Sequence, residues 1–524
     1  MGAIDFQKIA SRLSGIWIAA RRRPVAALAL IALFWRLPFF FNAQNDHDEA
    51  SFLMMGAMIA DGHLPYTIAW DQKPPLGYYG FALIDTMSFG KIWVVRLIGA
   101  ALVWLVGVLT YLTARRVAPH GPALAAGALT IVFISSLRSA GQSVMTETIA
   151  MPFVMAAAYL LSIADGRSAR PRLPALAAAG FLVACAALTR INLAALAVAG
   201  GLWLLLQPGV GGVAERTFRA AVFSLGGLSV MGLVYAFFAA NSAADLFFTS
   251  LFDAPLAYGR EGASYLITAL TAPGAAFSSD GGLLMLSFVV AFVIVFLKRS
   301  EFSSAQRARI VLLGVFALAI YASIVITKRS YPHYFMQLAP FLAIAAALAF
   351  DRLSGRQLRA FRISVAVGVA LAVTAPLIEY GKRAVEIATG DRLDDDRAYW
   401  AERTLKSRLD PGQTVFMLSD HIALWRLGLA PVDPIVTHPS NIAYDHLVRV
   451  VHGPAASAET ALKAVMDRKP NYIVRPSLVE YFEERPALKA IFEAALANDY
   501  AQIADHDDLI ILELRRESDD TRRQ

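Results

Sequence analysis

Apolar residues fill most of this chain in long blocks rather than in strict alternation. A helix needs about 20 apolar residues to cross a bilayer, and by that rule the blocks predict about eleven spans. They lie near 24–41, 92–113, 121–137, 147–164, 174–189, 191–207, 218–240, 282–298, 308–327, 333–350 and 360–377. Two connections stand apart: residues 42–91 and 241–281 are long, semi-apolar and rich in Pro, Gly and aromatics. In the first, "EASFLMMGAMIADG" follows Asp48 and is apolar on nearly every side, yet too short to span. That predicts a helix lying at the membrane surface, ended by Gly62 with Pro65 beyond. Pro75 suits the first turn of a second short helix, about 75–87. Past residue 377 the pattern changes. "QTVFMLSD", "NYIVRP" and "DLIILELRR" read as strands, "SAETALKAVMDR" and "RPALKAIFEAALAN" as amphipathic helices. The expected architecture is a polytopic α-helical membrane domain, 1–377, whose loop 42–91 carries the chemistry. A small extracytoplasmic α/β domain, 378–524, follows.

Composition agrees. Of 524 residues 57% are hydrophobic and only 17% charged, which excludes an ordinary soluble enzyme. The single cysteine, Cys185, allows no intrachain disulfide. Arg21, Arg22 and Arg23 precede the first apolar run without a small-residue cleavage site, so the run is expected to be an uncleaved span. If those arginines are cytoplasmic, the other cytoplasmic loops should be basic. Arg115-Arg116, "DGRSARPR" from Asp165, "ERTFR", "KRSEFSSAQRAR" and "DRLSGRQLRAFR" all fall on that side. An odd span count then puts the C-terminal domain outside.

Charge is densest where the apolar pattern leaves least room for it. Asp46, His47, Asp48 and Glu49 stand together at the start of the surface helix. A helix cap explains one carboxylate, and Asp48 is the expected cap. The others call for a proton acceptor or a cation site, and Asp46 and Asp48 offer hard oxygen ligands. Arg138, Arg190, Lys328 and Arg329 fall on the outer side against the positive-inside bias, which suits an anionic lipid headgroup, and Lys73 in the first outer loop is a further candidate for it. Snorkelling at span ends is the alternative for them.

Taken in order, these residues resemble the bacterial lipid-linked glycosyltransferases of the GT-C superfamily, in the protein mannosyltransferase/aminoarabinose transferase branch. The matching elements are Asp48-Glu49 after the first span and then Lys73-Pro74-Pro75-Leu76. Glu147 opens the fourth span, where the family often has Asp, and Arg190 follows the fifth. Last comes "KRSYPHYFMQLAPFLAI" with His333, Tyr334 and Pro340. The resemblance implies an inverting transfer of a sugar from a polyprenyl-phosphate donor to a lipid, glycan or protein acceptor. Membrane lipid is a partner and nucleic acid is not. It implies a bacterial inner-membrane location with the site on the periplasmic face. Asp48, Glu147 and Glu49 become the catalytic candidates. Lys73, Arg190, Lys328, Arg329, His333 and Tyr334 become the phosphate candidates, and Trp70, Tyr78 and Tyr79 the sugar or acceptor contacts. Members differ in their use of a cation. The cofactor therefore stands open between none and Mg, Mn or Zn held by Asp46, Asp48 and Glu147. A lipid or sugar transporter without covalent chemistry is the competing reading. A transporter should carry intramembrane charges and two similar halves. Neither is evident here, and a cell-envelope glycan polymerase or ligase would share most of this machinery.

Overall fold

The computed structural model describes residues 15–164, 172–207, 210–260 and 262–515, with only the backbone described at Arg138, Ser139 and Arg260. Most of the basic stretch beginning at Asp165 lies outside the described residues. Each of the eleven apolar blocks is helical. Five helices are long and apolar enough to cross a membrane: Ile92–Ala114, Thr146–Ile163, Val213–Ala240, Ser304–Ile326 and Gly355–Thr389. Shorter apolar helices, among them His120–Ser135, Leu173–Thr189 and Gly282–Leu297, pack between them. Leu, Ile, Val, Phe and many Ala side chains from these helices form one continuous core.

Four expectations need correction. The last apolar helix does not stop near 377. After Gly355–Ala372 the chain continues as Thr374–Thr389. Hydropathy ends where the charges begin, but the helix is sustained by pairs one turn apart, Arg383 to Glu379 at 2.6 Å and to Glu386 at 2.7 Å. Residues 241–281 are mostly helical, as Ala244–Phe248, a π-helical turn at Thr249–Asp253, Ala254–Arg260 and Tyr265–Phe277. The helix His47–Ala60 is capped by Asp46, not Asp48: Asp46 Oδ1 accepts from the Asp48 backbone N–H at 3.0 Å. Nor does that helix lie bare at a lipid surface. Glu49 to Gly56 and Met58 are all buried in protein. A helix apolar all round is a buried helix, and this one is covered on both sides.

Below it runs the second short helix, Pro75–Ser88. Gly56 makes the crossing possible, because a Cβ there would stand 2.6 Å from the Phe81 carbonyl carbon. Above it sits the C-terminal domain, built on a four-stranded sheet of order β1-β2-β4-β3. The strands are β1 (Val415–Met417), β2 (Tyr472–Pro476), β3 (Tyr500–His506) and β4 (Leu509–Leu514), with β1 and β2 parallel and the rest antiparallel. Asp507 and Asp508, both at positive φ, turn the β3–β4 hairpin. The domain is fastened to the loop by hydrogen bonds. Ser51 Oγ donates to Thr437 O at 2.9 Å, Trp70 N–H to Pro434 O at 3.0 Å, and Trp425 Nε1–H to Asp85 Oδ1 at 2.6 Å.

Candidate active site

Between the two short helices, the span ends and the C-terminal domain lies a polar cavity of about 270 Å³. Asp48 enters it from the first turn of His47–Ala60. Because Asp46 takes the capping role, the Asp48 carboxylate is left free to face the cavity. Asp71, Gln72 and Lys73 line it from the connector between the short helices. Two buried tyrosines set the Lys73 backbone: Tyr66 Oη donates to Lys73 O at 2.8 Å, and Lys73 N–H donates to Tyr78 Oη at 3.1 Å. Among the described residues Lys73 makes no ion pair within 4.0 Å. Its ammonium lies 5.7 Å from the centre of the Phe52 ring, which leaves it available to an anion.

The opposite wall comes from the spans. Arg190 follows the helix Leu173–Thr189 in an extended conformation and is buried. It pairs with Glu147 at 2.9 Å, donates to Thr146 Oγ1 at 3.1 Å and stacks on Tyr334 at 4.5 Å. Glu147 is fully buried, does not line the cavity, and also approaches His333 Nε2 at 3.7 Å. It thus stands behind Arg190 and His333 and holds them. Arg329 reaches the rim over the Tyr258 ring at 4.2 Å.

Electrostatics separate the two aspartates. Burial pushes the Asp46 carboxyl up to about 7, with the charge of Asp48 adding to it. Burial acts the same way on Asp48, but the positive charge around it, Lys73 foremost and Arg190 with it, outweighs burial and holds Asp48 below the usual carboxylate range. Burial also raises the Asp71 carboxyl, against the opposing pull of Lys73. Lys73 is held above its ordinary value: burial works against the charged form, and Asp71 and then Asp48 overcome it. At neutral pH the cavity thus presents an ionised Asp48 facing cations. Two neighbouring acids pushed apart in this way mark which one can take a proton.

Of the residues expected at a site, Asp46, Asp48, Lys73, Arg190, Arg329, His333 and Tyr334 come together on this cavity. Others do not line it. Glu49 is fully buried on the far side of the same helical turn, where it pairs with Arg96 and accepts from the Val144 N–H at 2.6 Å. Trp70 is buried beneath the C-terminal domain, Tyr78 serves the Lys73 backbone, and Tyr79 packs edge-on against Phe237 at 5.9 Å. Lys328 sits over Tyr265, 5.0 Å from the ring centre. Sequence reasoning missed Asp71, Tyr258 and Tyr331. It also missed everything that the C-terminal domain contributes: His438, Ser440, Asn441, Tyr444, Leu447 and Tyr481. A histidine among apolar residues in "IVTHPSNIAY" was the one available signal.

The three carboxylates considered for a cation do not converge. Asp46 is turned to a backbone N–H and Glu147 to Arg190. Among the described residues no group of three or more His, Cys, Asp or Glu is placed to hold a metal ion.

Residues 72–239 match the family model described as dolichyl-phosphate-mannose-protein mannosyltransferase. No curated protein matches the chain. Among solved structures, the chain is similar to ArnT from Cupriavidus metallidurans in the apo state, at 15% identity and a TM-score of 0.61, covering 95% of this chain and 98% of that one. The same enzyme bound to undecaprenyl phosphate matches at 15% identity and 0.59, over 93% and 97%. An Archaeoglobus fulgidus oligosaccharyltransferase in the apo form matches at 14% identity and 0.53, over 92% and 73%. The chain therefore has the fold of these structures, a bundle with several helices long and apolar enough to cross a membrane, completed by a small α/β C-terminal domain.

Proposed function

We propose that this protein transfers a sugar from a polyprenyl-phosphate donor to an acceptor hydroxyl or amine, with inversion, at the periplasmic face of a bacterial inner membrane. The observation that carries the reading is the placement, in one pocket beside apolar helices, of an ionised, cavity-facing Asp48 with the Arg190 guanidinium and with Lys73, which makes no ion pair within 4.0 Å among the described residues. The lipid tail would stay among the spans and the phosphate would lie between Lys73 and Arg190. The acceptor oxygen or nitrogen attacks the anomeric carbon as its proton passes to Asp48. The bond from that carbon to the phosphate oxygen breaks, and the electron pair leaves with the lipid phosphate. Lys73 and Arg190 stabilise the added negative charge of the leaving phosphate, in a site where little water competes. Glu147 keeps Arg190 aimed, and Arg329 adds positive charge at the rim. The acceptor is a lipid, glycan or protein of the cell envelope.

Purified protein in lipid discs, given synthetic polyprenyl-phosphate sugars and envelope extracts, should form a covalent sugar product. D48N should lower the rate by about 10²–10⁴-fold, the usual contribution of a positioned base. Full transfer by D48N would remove Asp48 as the base. Movement of lipid across the disc or vesicle with no covalent product would favour a transporter instead.

A further inference from the structure

Among the side chains that the C-terminal domain brings to the cavity, His438 is one whose chemistry the geometry fixes. His438 Nδ1 lies 3.2 Å from the Ser440 backbone nitrogen and 2.7 Å from Ser440 Oγ. A peptide N–H can only donate, so Nδ1 presents its lone pair. The single proton of the neutral ring therefore sits on Nε2. Nε2 is the atom that faces the reaction, 3.5 Å from Asp48 Oδ1. The ring is neutral at neutral pH, because burial pushes it down to about 4 against the opposing pull of Asp48. In this tautomer His438 cannot accept a proton from the acceptor. It can only donate a hydrogen bond to the base.

The loop that carries it is registered to the helix that carries Asp48. Thr437 O accepts from Ser51 Oγ, one turn beyond Asp48, at 2.9 Å. Thr437 Oγ1 accepts from the Trp70 backbone N–H at 3.1 Å. Val436 O lies 3.1 Å from His421 Nε2. The preceding residue is thus pinned both to the helix His47–Ala60 and to the connector that follows it, and the imidazole follows.

We propose that His438 is a positioning residue for the transfer: its Nε2–H closes onto Asp48 Oδ1 when substrates bind and turns Oδ2 toward the acceptor. This rests on the reading of Asp48 as the base. A separation of 3.5 Å is longer than a formed hydrogen bond, and catalytic hydrogen bonds commonly tighten only with substrate in place. During turnover His438 keeps its proton and the acceptor's proton ends on Oδ2. The α/β domain then completes the active site rather than merely capping it.

The test uses the full chain in lipid discs with a synthetic polyprenyl-phosphate sugar, and measures kcat and KM separately. A hydrogen bond to a charged group predicts that H438A and H438L each lower kcat about 10–100-fold, with the donor KM changed less than about 3-fold. H438Q places an amide N–H within the same reach and should restore most of kcat. Equal melting temperatures across the three variants show that docking of the domain is intact. If H438A fails to fold, H438L against H438Q gives the same comparison. Wild-type kcat in H438L, or H438Q as impaired as H438L, would overturn the proposal. D48N separates the two readings: an active D48N sinks the base itself, whereas an inactive D48N beside a fully active H438L sinks only the positioning role.

Discussion

Asp48 and Glu49 are separated by one peptide bond and serve opposite ends of the protein's physical needs. Asp48 points from the first helical turn into a polar cavity, is part-exposed, and makes no ion pair with Lys or Arg within 4.0 Å among the described residues. Glu49 points the other way into the fold, is fully buried, and accepts through Oε1 from both Arg96 and the Val144 N–H. Arg96 also donates to the carbonyl oxygens of Asn42 and Ala43 at 3.3 and 3.2 Å. The Glu49 side therefore ties together the exit of the first span, the start of Ile92–Ala114 and the entry of Thr146–Ile163. One face of the turn is closed by its own partners and supports structure. The other opens onto the cavity, with His438 beside it. Identical chemistry in the sequence becomes different work because a helix sends neighbouring residues about 100° apart.

That contrast can be broken by exchanging the two faces. E49A should be the most damaging change to the fold. It strands a buried Arg96 guanidinium, and losing one partner of such a pair costs about 3–5 kcal/mol. The expected result is a large drop in melting temperature, with transfer falling only as folded protein is lost. A folded, stable E49A without activity would place Glu49 in the chemistry and erase the distinction. E147Q sharpens the same point at the second acid. It weakens a charge-assisted hold on Arg190, which should cost roughly 1.5–3 kcal/mol in transfer, mainly by weakening phosphate contacts. A rate loss as deep as that of D48N would make Glu147 more than a support.

The pH dependence gives a smaller effect with a definite sign. In its proposed role Asp48 works only when ionised, and its carboxyl is held below the usual range against burial by Lys73 and its neighbours. The transfer rate should stay level as pH falls toward the ordinary carboxylate range and drop only below it. Removing Lys73 as K73M should move that drop to higher pH, read from kcat against pH. A limb that does not move would mean that Lys73 does not set the state of Asp48.

Much of this is legible in the sequence. Blocks of apolar residues are long-range signals that tertiary context rarely overrides, so each block proved helical. Asp48, Lys73 and Arg190 could be picked out because charge beside a span end is costly enough to need a reason. What stayed hidden depended on contacts between distant residues. The choice of Asp46 over Asp48 as cap turns on which backbone enters the helix extended, a difference of two residues. The apolar surface helix looked like a lipid contact because nothing local shows that a domain some 370 residues later will cover it. His438 was hidden for the same reason. Trp70, Tyr78 and Tyr79 are as suited to packing as to sugars, and here none of the three lines the cavity.

The central claim is that one face of this helical turn does the chemistry while its neighbour holds the fold. Single-turnover transfer and melting temperature, measured together on D48N with donor bound, test it most directly. The account predicts a melting temperature equal to wild type, retained donor binding, and transfer slowed by about 10²–10⁴-fold. Transfer at the wild-type rate, or a collapse of stability as deep as that of E49A, would contradict it.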